Sequence, residues 1–563
     1  MNAYLRSVLR TVLDNVGDVP ADFSIELEAP AREEHGDVAT NTALRLASVL
    51  KNNPRAIAED LAERLRERLD SARIQSVEVA GPGFINFRFA DDYLFDELSA
   101  VLADGDTYGR AERSGRTAIV EYVSANPTGP LTVGHGRNAV LGDAIATLLD
   151  WSGVDVTREY YFNDAGRQMR VLAQSVRARY ESIAGTVGTK IINVDGASVE
   201  VPETFPDDGY QGAYITDIAQ SLYDEHGETL LKVETLRPFQ EAAEEVIFAD
   251  IEATLERLNV SMDHFFNERS LYQDGEIDAV IEELTEAEVT YEKDDALWFR
   301  TTDFGKEKDT VLIKQSGEPT YRTPDIAYHA TKFERGFDTI IDVFGADHIA
   351  TYPDVLSALD VLGYDSDRVE VILYQFVTLV RDGEPVKMST RHANYVTLDD
   401  LMNEVGEDVT RFFFLMRSPD THLNFDLELA TETSDKNPVF YLQYAHARIC
   451  SILDKAAEVG LSSDVSGDNP DLTLLTHEAE TALMKEVLDF PEVLRKAAEE
   501  RAPHFVPTYL RDVATAFSQF YDKCRVIGED DDLGSARLAL AHATKTVLRN
   551  GLTVLGIDAP EHM

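Results

Sequence analysis

Between residues 113 and 430, short apolar runs alternate with helical stretches, and this alternation restricts the fold more than any other feature of the chain. Strand patterns fall at 118–123, 156–162, 310–314, 339–344 and 370–374, with helical periodicity between them. Strands separated by helices are expected to lie parallel in one sheet, with the helices covering its faces. Such a sheet offers a ligand crevice at the carboxyl ends of its strands, beside the N-terminus of the following helix.

The flanking regions read differently. Residues 1–112 show helical patterns at 2–16 and 39–70. Val77-Glu78-Val79-Ala80 then runs through Gly81-Pro82-Gly83 into Phe84-Ile85-Asn86-Phe87-Arg88-Phe89, which reads as a hairpin. A polar stretch at 104–116 closes this unit. From about 431 the strand signals vanish, and 439–459, 473–499, 506–525 and 532–552 each carry an apolar stripe at helical spacing, as a helical bundle does. The expected division is a small α+β unit at 1–112, an α/β domain at 113–430 and an all-α bundle at 431–563; a chain of 563 residues is too long for one core. Residues 183–211, polar and punctuated by Gly and Pro, read as an insertion.

Charge and cysteine usage narrow the setting. Asp and Glu total 102 against 52 Lys and Arg, a formal net charge of -50. The acids are interleaved with apolar residues, as at Glu59-Asp60 and Glu282-Glu283, so they belong to folded, solvated surfaces and not to a disordered tail. A salt-rich cytoplasm screens such self-repulsion, the Debye length falling to about 3 Å near 1 M. The source is accordingly read as a halophilic archaeon. Two cysteines, Cys450 and Cys524, allow neither a disulfide framework nor a four-cysteine zinc site. No apolar run reaches the ~18 residues that cross a bilayer. The opening Met1-Asn2-Ala3-Tyr4-Leu5-Arg6 begins an amphipathic segment unlike a signal peptide. A cytoplasmic protein with no membrane partner is expected.

Two loops carry chemistry. Thr128-Gly129-Pro130-Leu131-Thr132-Val133-Gly134-His135-Gly136 lies between the first strand and its helix, where free N–H groups and the helix dipole favour phosphate. Gly134 permits close approach of a nucleotide, and His135 can donate to a phosphate oxygen. Downstream, Val386-Lys387-Met388-Ser389-Thr390-Arg391 follows a strand-like run and a turn; a lysine and an arginine there suit charge building on a leaving pyrophosphate. Each loop alone is also compatible with a plain glycine-rich turn or a solvated basic loop. A dinucleotide fingerprint, Gly134-x-Gly136-x-x-Ala139 with Asp155 as its acid, competes for the first. Gly134 comes ten positions after Ser124, too far past the strand for that motif, which weighs against it.

Together the two loops resemble the HIGH and KMSKS elements of class I aminoacyl-tRNA synthetases, and the surrounding sequence resembles the arginyl family in particular. The likeness rests on Val120-Glu121-Tyr122-Val123-Ser124-Ala125-Asn126-Pro127-Thr128-Gly129-Pro130, Arg158-Glu159-Tyr160-Tyr161-Phe162-Asn163-Asp164-Ala165-Gly166, Asp325-Ile326-Ala327-Tyr328 and Gly345-Ala346-Asp347-His348. It extends through Asn437-Pro438-Val439-Phe440-Tyr441-Leu442-Gln443-Tyr444-Ala445-His446-Ala447-Arg448 to Ala559-Pro560-Glu561-His562-Met563. The first unit, with Gly36-Asp37-Val38-Ala39-Thr40-Asn41, resembles that family's N-terminal domain, which contacts the tRNA elbow. Two positions depart from the pattern: Thr132 stands for the first histidine of HIGH, and Thr390 for the second lysine of KMSKS.

The resemblance implies a Rossmann-like catalytic domain that activates L-arginine with ATP and transfers it to the 3′ end of tRNA(Arg). It assigns Thr132, His135 and Lys387 to catalysis, and Gly134, Asn138, Met388 and Ser389 to ATP. Glu121, Ser124, Asn126, Tyr321, Asp325 and His348 would hold arginine, Asp325 accepting the guanidinium. Tyr441, Tyr444, His446 and Arg448 would touch tRNA near the anticodon. Mg2+ would accompany ATP, with no built-in metal site, no DNA partner, and a monomer as the expected state. Alternatives are a nicotinamide-dependent oxidoreductase, a small-molecule nucleotidyl transferase, a class I synthetase of another specificity, and a non-catalytic tRNA-binding paralogue.

Overall fold

A run such as Ala118-Ile119-Val120, apolar at every position, suits a strand covered on both faces, and it forms the middle of β1 (Thr117–Glu121). The computed structural model describes residues 1–563 other than 18, 21–22, 31, 195–196, 387–395, 462–469 and 529. Beside β1 lie β2 (Asp155–Phe162), β3 (His264–Asn267), β4 (Thr339–Gly345) and β5 (Val369–Tyr374), in the spatial order β5-β4-β1-β2-β3. Every neighbouring pair is parallel. Successive residues of β1 feed opposite cores. Ala118 and Val120 pack with Val140, Leu141 and Ile145 of α1 (Val133–Trp151), whereas Ile119 joins Ile326 and Phe333 of α2 (Arg322–Glu334).

This strand order decides where ligands bind. The chain leaves β1 toward β2 on one side and returns with β4 on the other, so the order reverses between β1 and β4. Their carboxyl ends therefore open into a crevice that no crossover helix covers. Two buried guanidiniums fasten the elements around it. Arg137 of α1 donates to the carbonyls of Gln375 (2.6 Å), Ser418 (3.1 Å) and Thr421 (3.0 Å). Arg411 pairs with Asp143 of α1 at 2.6 Å and donates to the carbonyls of Leu258 and Leu555.

The rest of the chain departs from the sequence reading in a few places. Thr310–Ile313 is a strand, but it pairs antiparallel with Ala296–Phe299, which pairs with Thr290–Lys293, in a separate small sheet. Asp294 and Asp295 both adopt positive φ in the two-residue turn that closes the first hairpin of this sheet, and Thr310–Ile313 adds to the free edge of Ala296–Phe299. β3 was not expected; its four residues are too few to show a period. The stretch 39–70 is not one helix. Val38–Thr40 is a strand paired with Phe84–Phe89, and the helices Thr42–Leu50 and Pro54–Arg68 are separated by Lys51 in the left-handed region and by Asn53, which caps the second. The hairpin Ile74–Ala80/Phe84–Phe89 is as expected. The 183–211 region holds an antiparallel hairpin, Thr189–Val194 with Ala197–Pro202. In the bundle, α3 (Pro438–Glu458), α4 (Phe505–Lys523) and α5 (Asp531–Val554) match their stripes, while 473–499 divides into Glu478–Leu488 and Phe490–Glu499 at Pro491. Among the described residues, no helix is long and apolar enough to cross a membrane.

Candidate active site

The crevice begins with a strained corner. Directly after β1, Val123 (φ 66°) and Ser124 (φ 39°) both lie in the left-handed region. That region is costly for a β-branched residue and persists only where the surroundings enforce it. The Val123 N–H donates to Asn138 Oδ1 at 2.7 Å, Ser124 Oγ donates to Glu121 Oε1 at 2.8 Å, and Tyr160 Oη donates to the Ala125 carbonyl at 2.7 Å. Asn138 also donates through Nδ2 to the Val343 carbonyl at 2.8 Å, tying the corner to β4. The corner turns Ser124, Ala125 and Asn126 into the cavity. Asn138, expected to line the nucleotide, borders the cavity but spends its amide on these two backbone groups.

Helix α1 opens the second wall. Thr132 is its N-cap: Thr132 Oγ1 accepts from the His135 N–H at 3.4 Å, and His135 Nδ1 accepts from the Thr132 N–H at 3.2 Å. This reciprocal box has two consequences. With Nδ1 accepting, the neutral ring carries its proton on Nε2, leaving a donor free for a ligand. Burial also lowers the His135 pKa, which keeps the ring neutral. Gly136 lets the helix seat Leu398, since a Cβ there would come within 2.5 Å of the Leu398 side chain. Gly134 and Gly136 thus sit inside α1, not in a strand-to-helix turn, and Asp155 opens β2; the dinucleotide reading does not fit this geometry.

The floor is a buried charge network. Glu121 and Asp342 are register partners on β1 and β4. Between them, Lys332 Nζ donates to Glu121 Oε2 at 2.6 Å and Asp342 Oδ1 at 2.7 Å. His329 Nε2 lies 2.8 Å from Asp342 Oδ2, and His329 Nδ1 lies 2.7 Å from the Asp325 carbonyl. Burial alone would raise the Asp342 pKa, but Lys332 and His329 hold it well below the usual carboxylate range. Asp325, on the first turn of α2, is the exception. Its carboxylate accepts no hydrogen bond from the described residues, and burial, with the charges of Glu121 and Glu268 adding to it, pushes its pKa up to about 7.

These walls enclose a cavity of about 530 Å3 bordered by Glu121, Ser124, Asn126, His135, Asn138, Tyr321, Asp325 and His348 among others. Eight of the sequence-assigned residues are therefore brought together. Thr132 and Gly134, in the same helical turn as His135, are not among the residues that border it. Tyr321 is 64 % exposed at the rim, and His348 stacks on Phe344 with ring centroids 5.0 Å apart. Lys387, Met388 and Ser389, with Thr390 and Arg391, lie outside the described residues. Reasoning from sequence missed Tyr328, His329 and Lys332, which share one face of α2 with Asp325. Their spacing, Asp325-x-x-Tyr328-His329-x-x-Lys332, is a polar stripe at helical period inside a buried helix, and that was the available signal. Asn163, Gln168 and Asp347 also border the cavity and were not singled out.

The bundle residues separate. Tyr444 and Arg448 border a second cavity, of about 730 Å3, together with Lys455, Tyr521 and Arg525. Arg448 lies over the Tyr521 ring at 4.2 Å. Tyr441 is half-buried, its hydroxyl 3.4 Å from Ser518 Oγ. His446 corrects the expectation of a tRNA contact: it is 1 % exposed, with Nδ1 2.8 Å from the Pro560 carbonyl, so its ring fastens the C-terminal segment to α3. Among the described residues, no group of three or more His, Cys, Asp or Glu could hold a metal ion.

Comparison with known proteins covers the whole chain. Residues 97–417 match the family model of the class I tRNA synthetase catalytic domain of the (R) type, residues 3–89 the arginyl tRNA synthetase N-terminal domain, and residues 442–563 the DALR anticodon binding domain. An arginine–tRNA ligase of Salinibacter ruber is 72 % identical, the alignment covering 100 % of each chain. One of Desulfotalea psychrophila is 51 % identical over 99 % of this chain and 100 % of its own. In fold, the arginyl-tRNA synthetase of Thermus thermophilus superposes with a TM-score of 0.77 at 24 % identity, covering 100 % of both chains. These relatives lend no support to an archaeal source.

Proposed function

Because the chain belongs to the arginyl-tRNA synthetase family, we propose that it activates L-arginine with ATP and transfers the arginyl group to the 3′ end of tRNA(Arg). The observation that carries this reading is Asp325, a half-buried carboxylate that borders the cavity and accepts no hydrogen bond from the described residues. A guanidinium supplies the missing charge and a planar set of donors. A neutral isostere such as citrulline leaves the carboxylate unpaired, which is the basis of strong rejection.

In the first step an arginine carboxylate oxygen attacks the α-phosphorus of ATP, forming arginyl-adenylate and releasing pyrophosphate. In the second, a hydroxyl of the terminal tRNA adenosine attacks the activated carbonyl, and AMP leaves. Neither step needs a covalent enzyme intermediate, so the protein contributes alignment and charge stabilisation. His135 donates from Nε2 to a phosphate oxygen, held in place by its box with Thr132. Glu121 and Asn126 face the α-amino group, Tyr321 and His348 shape the rim, and Ser124 sets the Glu121 carboxylate. Lys387, Met388 and Ser389 are assigned from sequence to the departing pyrophosphate. Mg2+ enters with ATP as part of the substrate.

The same reading gives the other parts their tasks. Residues 1–112 contact the tRNA elbow, 113–430 form the catalytic domain, and 431–563 read the anticodon region through Tyr444 and Arg448, with Tyr441 in a supporting place. In a chain of net charge -50, tRNA phosphates must be met by local cations and stacking, and the cavity beside α3 offers both. A monomer acting in the cytoplasm completes the proposal. ATP–pyrophosphate exchange at molar KCl, with and without cognate tRNA and across a panel of amino acids, tests it. Exchange with arginine and no other amino acid, and only when tRNA is present, is the expected result; exchange with another amino acid would overturn the assignment of Asp325, and none under any condition would favour a non-catalytic paralogue.

A further inference from the structure

Arg411 is 1 % exposed on the helix Glu407–Leu415, borders neither cavity described above and has no place in the chemistry above. Its fork joins three elements that are far apart in sequence. Nε donates to the Leu555 carbonyl at 2.8 Å, and Nη1 to the Leu258 carbonyl at 2.7 Å. Leu555 closes α5 of the bundle, and Leu258 closes the helix Arg237–Arg257. The last carbonyls of a helix lack intrahelical donors and carry the negative end of its dipole, so one cation serves two C-termini at once. Nη2 meets Asp143 Oδ2 of α1 at 2.6 Å, and the other oxygen of that carboxylate lies 3.8 Å from Arg158 Nε. A planar guanidinium holds its acceptors in fixed in-plane directions, which a rotating ammonium does not. Gly556 lets the bundle come this close: at φ 68° it follows α5, and a Cβ there would fall 2.2 Å from Arg411 Nη2.

The helix held by Asp143 is the one whose first turn presents His135, about 12 Å along the axis. The segment carrying Arg411 also reaches that turn from its other end. The Leu398 N–H, opening the preceding helix Leu398–Val405, donates to the Leu131 carbonyl at 2.8 Å, and Gly406 joins the two helices. We infer, resting on the arginine-activating reading, that Arg411 is a positioning residue for the reaction: it locks α1 to the carboxyl end of the bundle's last helix, so that the seating of the bundle sets where His135 Nε2 meets the phosphate. The bundle thereby acts on the chemistry without lending a side chain to the cavity.

The test uses the full chain with cognate tRNA at saturation. Arg411→Lys keeps a charge for Asp143 but cannot also reach both carbonyls. Gly556→Ala displaces the guanidinium from the bundle side, leaves every polar partner in place, and serves as the second variant should the first not fold. In Arg411→Lys, kcat for arginine-dependent ATP–pyrophosphate exchange is expected to fall about 10- to 100-fold, since a shift of ~1 Å imposed from far away costs the transition state that much. The KM for arginine and the Kd for tRNA should stay within about threefold. Gly556→Ala shifts kcat in the same direction by less. Gln443→Ala is the control. It removes another tether of the same tail, Gln443 Nε2 to Asp408 Oδ2 at 2.7 Å and to the Asp558 carbonyl at 3.0 Å, without touching Arg411, and kcat should not move. In a His135→Ala background, Arg411→Lys should cost less than about threefold more, because its effect runs through that ring. Additive losses in that background, a parallel rise in the KM for arginine, an equal loss in Gln443→Ala, or an undiminished kcat would overturn the inference. Absence of arginine-dependent exchange in the unaltered protein would instead overturn the reading it rests on.

Discussion

Toward its C-terminal end, α2 helps to bury Glu159 under a full set of donors; at its N-terminal end it leaves Asp325 with none. Glu159 receives Tyr328 Oη at 2.6 Å, both Arg335 nitrogens at 2.6 and 2.8 Å, and faces His264 Nδ1 at 2.6 Å. Burial by itself would raise its pKa, but Arg335, Tyr328 and Lys332 bring it below the usual value. Asp325 sits in the same helix neighbourhood, with burial and nearby acids pushing it to about 7. The difference separates two uses of an acid withdrawn from solvent. A saturated carboxylate staples β2 to α2 and has nothing left to offer a ligand. An unsaturated one costs stability in the free protein and recovers it when a cation arrives.

The largest expected effect breaks the comparison at Asp325. Asp325→Asn should lower kcat/KM for arginine in exchange by about 10³-fold or more, because the guanidinium then lacks its ionic partner. The free protein should meanwhile gain stability. The folded-state pKa of Asp325 lies above the ordinary aspartate value of 3.8, so the folded state holds more proton between there and about 7, and stability falls as pH rises across that window. Above pH 7 the penalty is complete, and the Asn variant should be more stable there by about 1–3 kcal/mol in urea unfolding. At Glu159 the sign reverses. Glu159→Gln should destabilise the protein by about 3–5 kcal/mol, since Arg335 loses a buried partner. In the folded fraction, the KM for arginine should change little.

Smaller effects sharpen the same contrast. In the unaltered protein, kcat/KM for arginine should fall about tenfold per pH unit below pH 7 as Asp325 protonates, and level off above it. Glu159→Gln should leave that midpoint in place. Farther away, Arg448→Ala should raise the KM for tRNA about 3- to 10-fold through loss of the cation and of its stacking on Tyr521, without altering the KM for arginine.

How much of this could be read beforehand follows from which signals are local. The strand–helix alternation of the middle region and the 124–136 loop were legible, because periodicity and glycine spacing are properties of short windows. So were Glu121, Asn126, Asp325 and His135, through family motifs. The helix breaks at Pro54 and Pro491 were legible in principle, and the apolar stripe on either side masked them. The corner at Val123 was not. A β-branched residue argues for extended backbone, and the groups that hold it otherwise include Asn138, fifteen residues away, and Tyr160. The Lys332 triad was hidden for a related reason: Glu121 and Asp342 are 221 positions apart and meet only because the sheet order places β4 beside β1. His446 shows the opposite failure, a polar residue in an aromatic-rich stripe that faces the core because a C-terminal carbonyl accepts from it.

The central claim is that Asp325 is held unpaired for the guanidinium of arginine. Calorimetric titration of arginine at pH 7, in two buffers of different ionisation enthalpy, measures the protons exchanged on binding. A carboxyl poised near 7 is about half protonated, and a bound guanidinium ionises it, so the account predicts release of about half a proton per arginine, absent in Asp325→Asn. Binding with no proton release, or release that persists in the Asn variant, would contradict it.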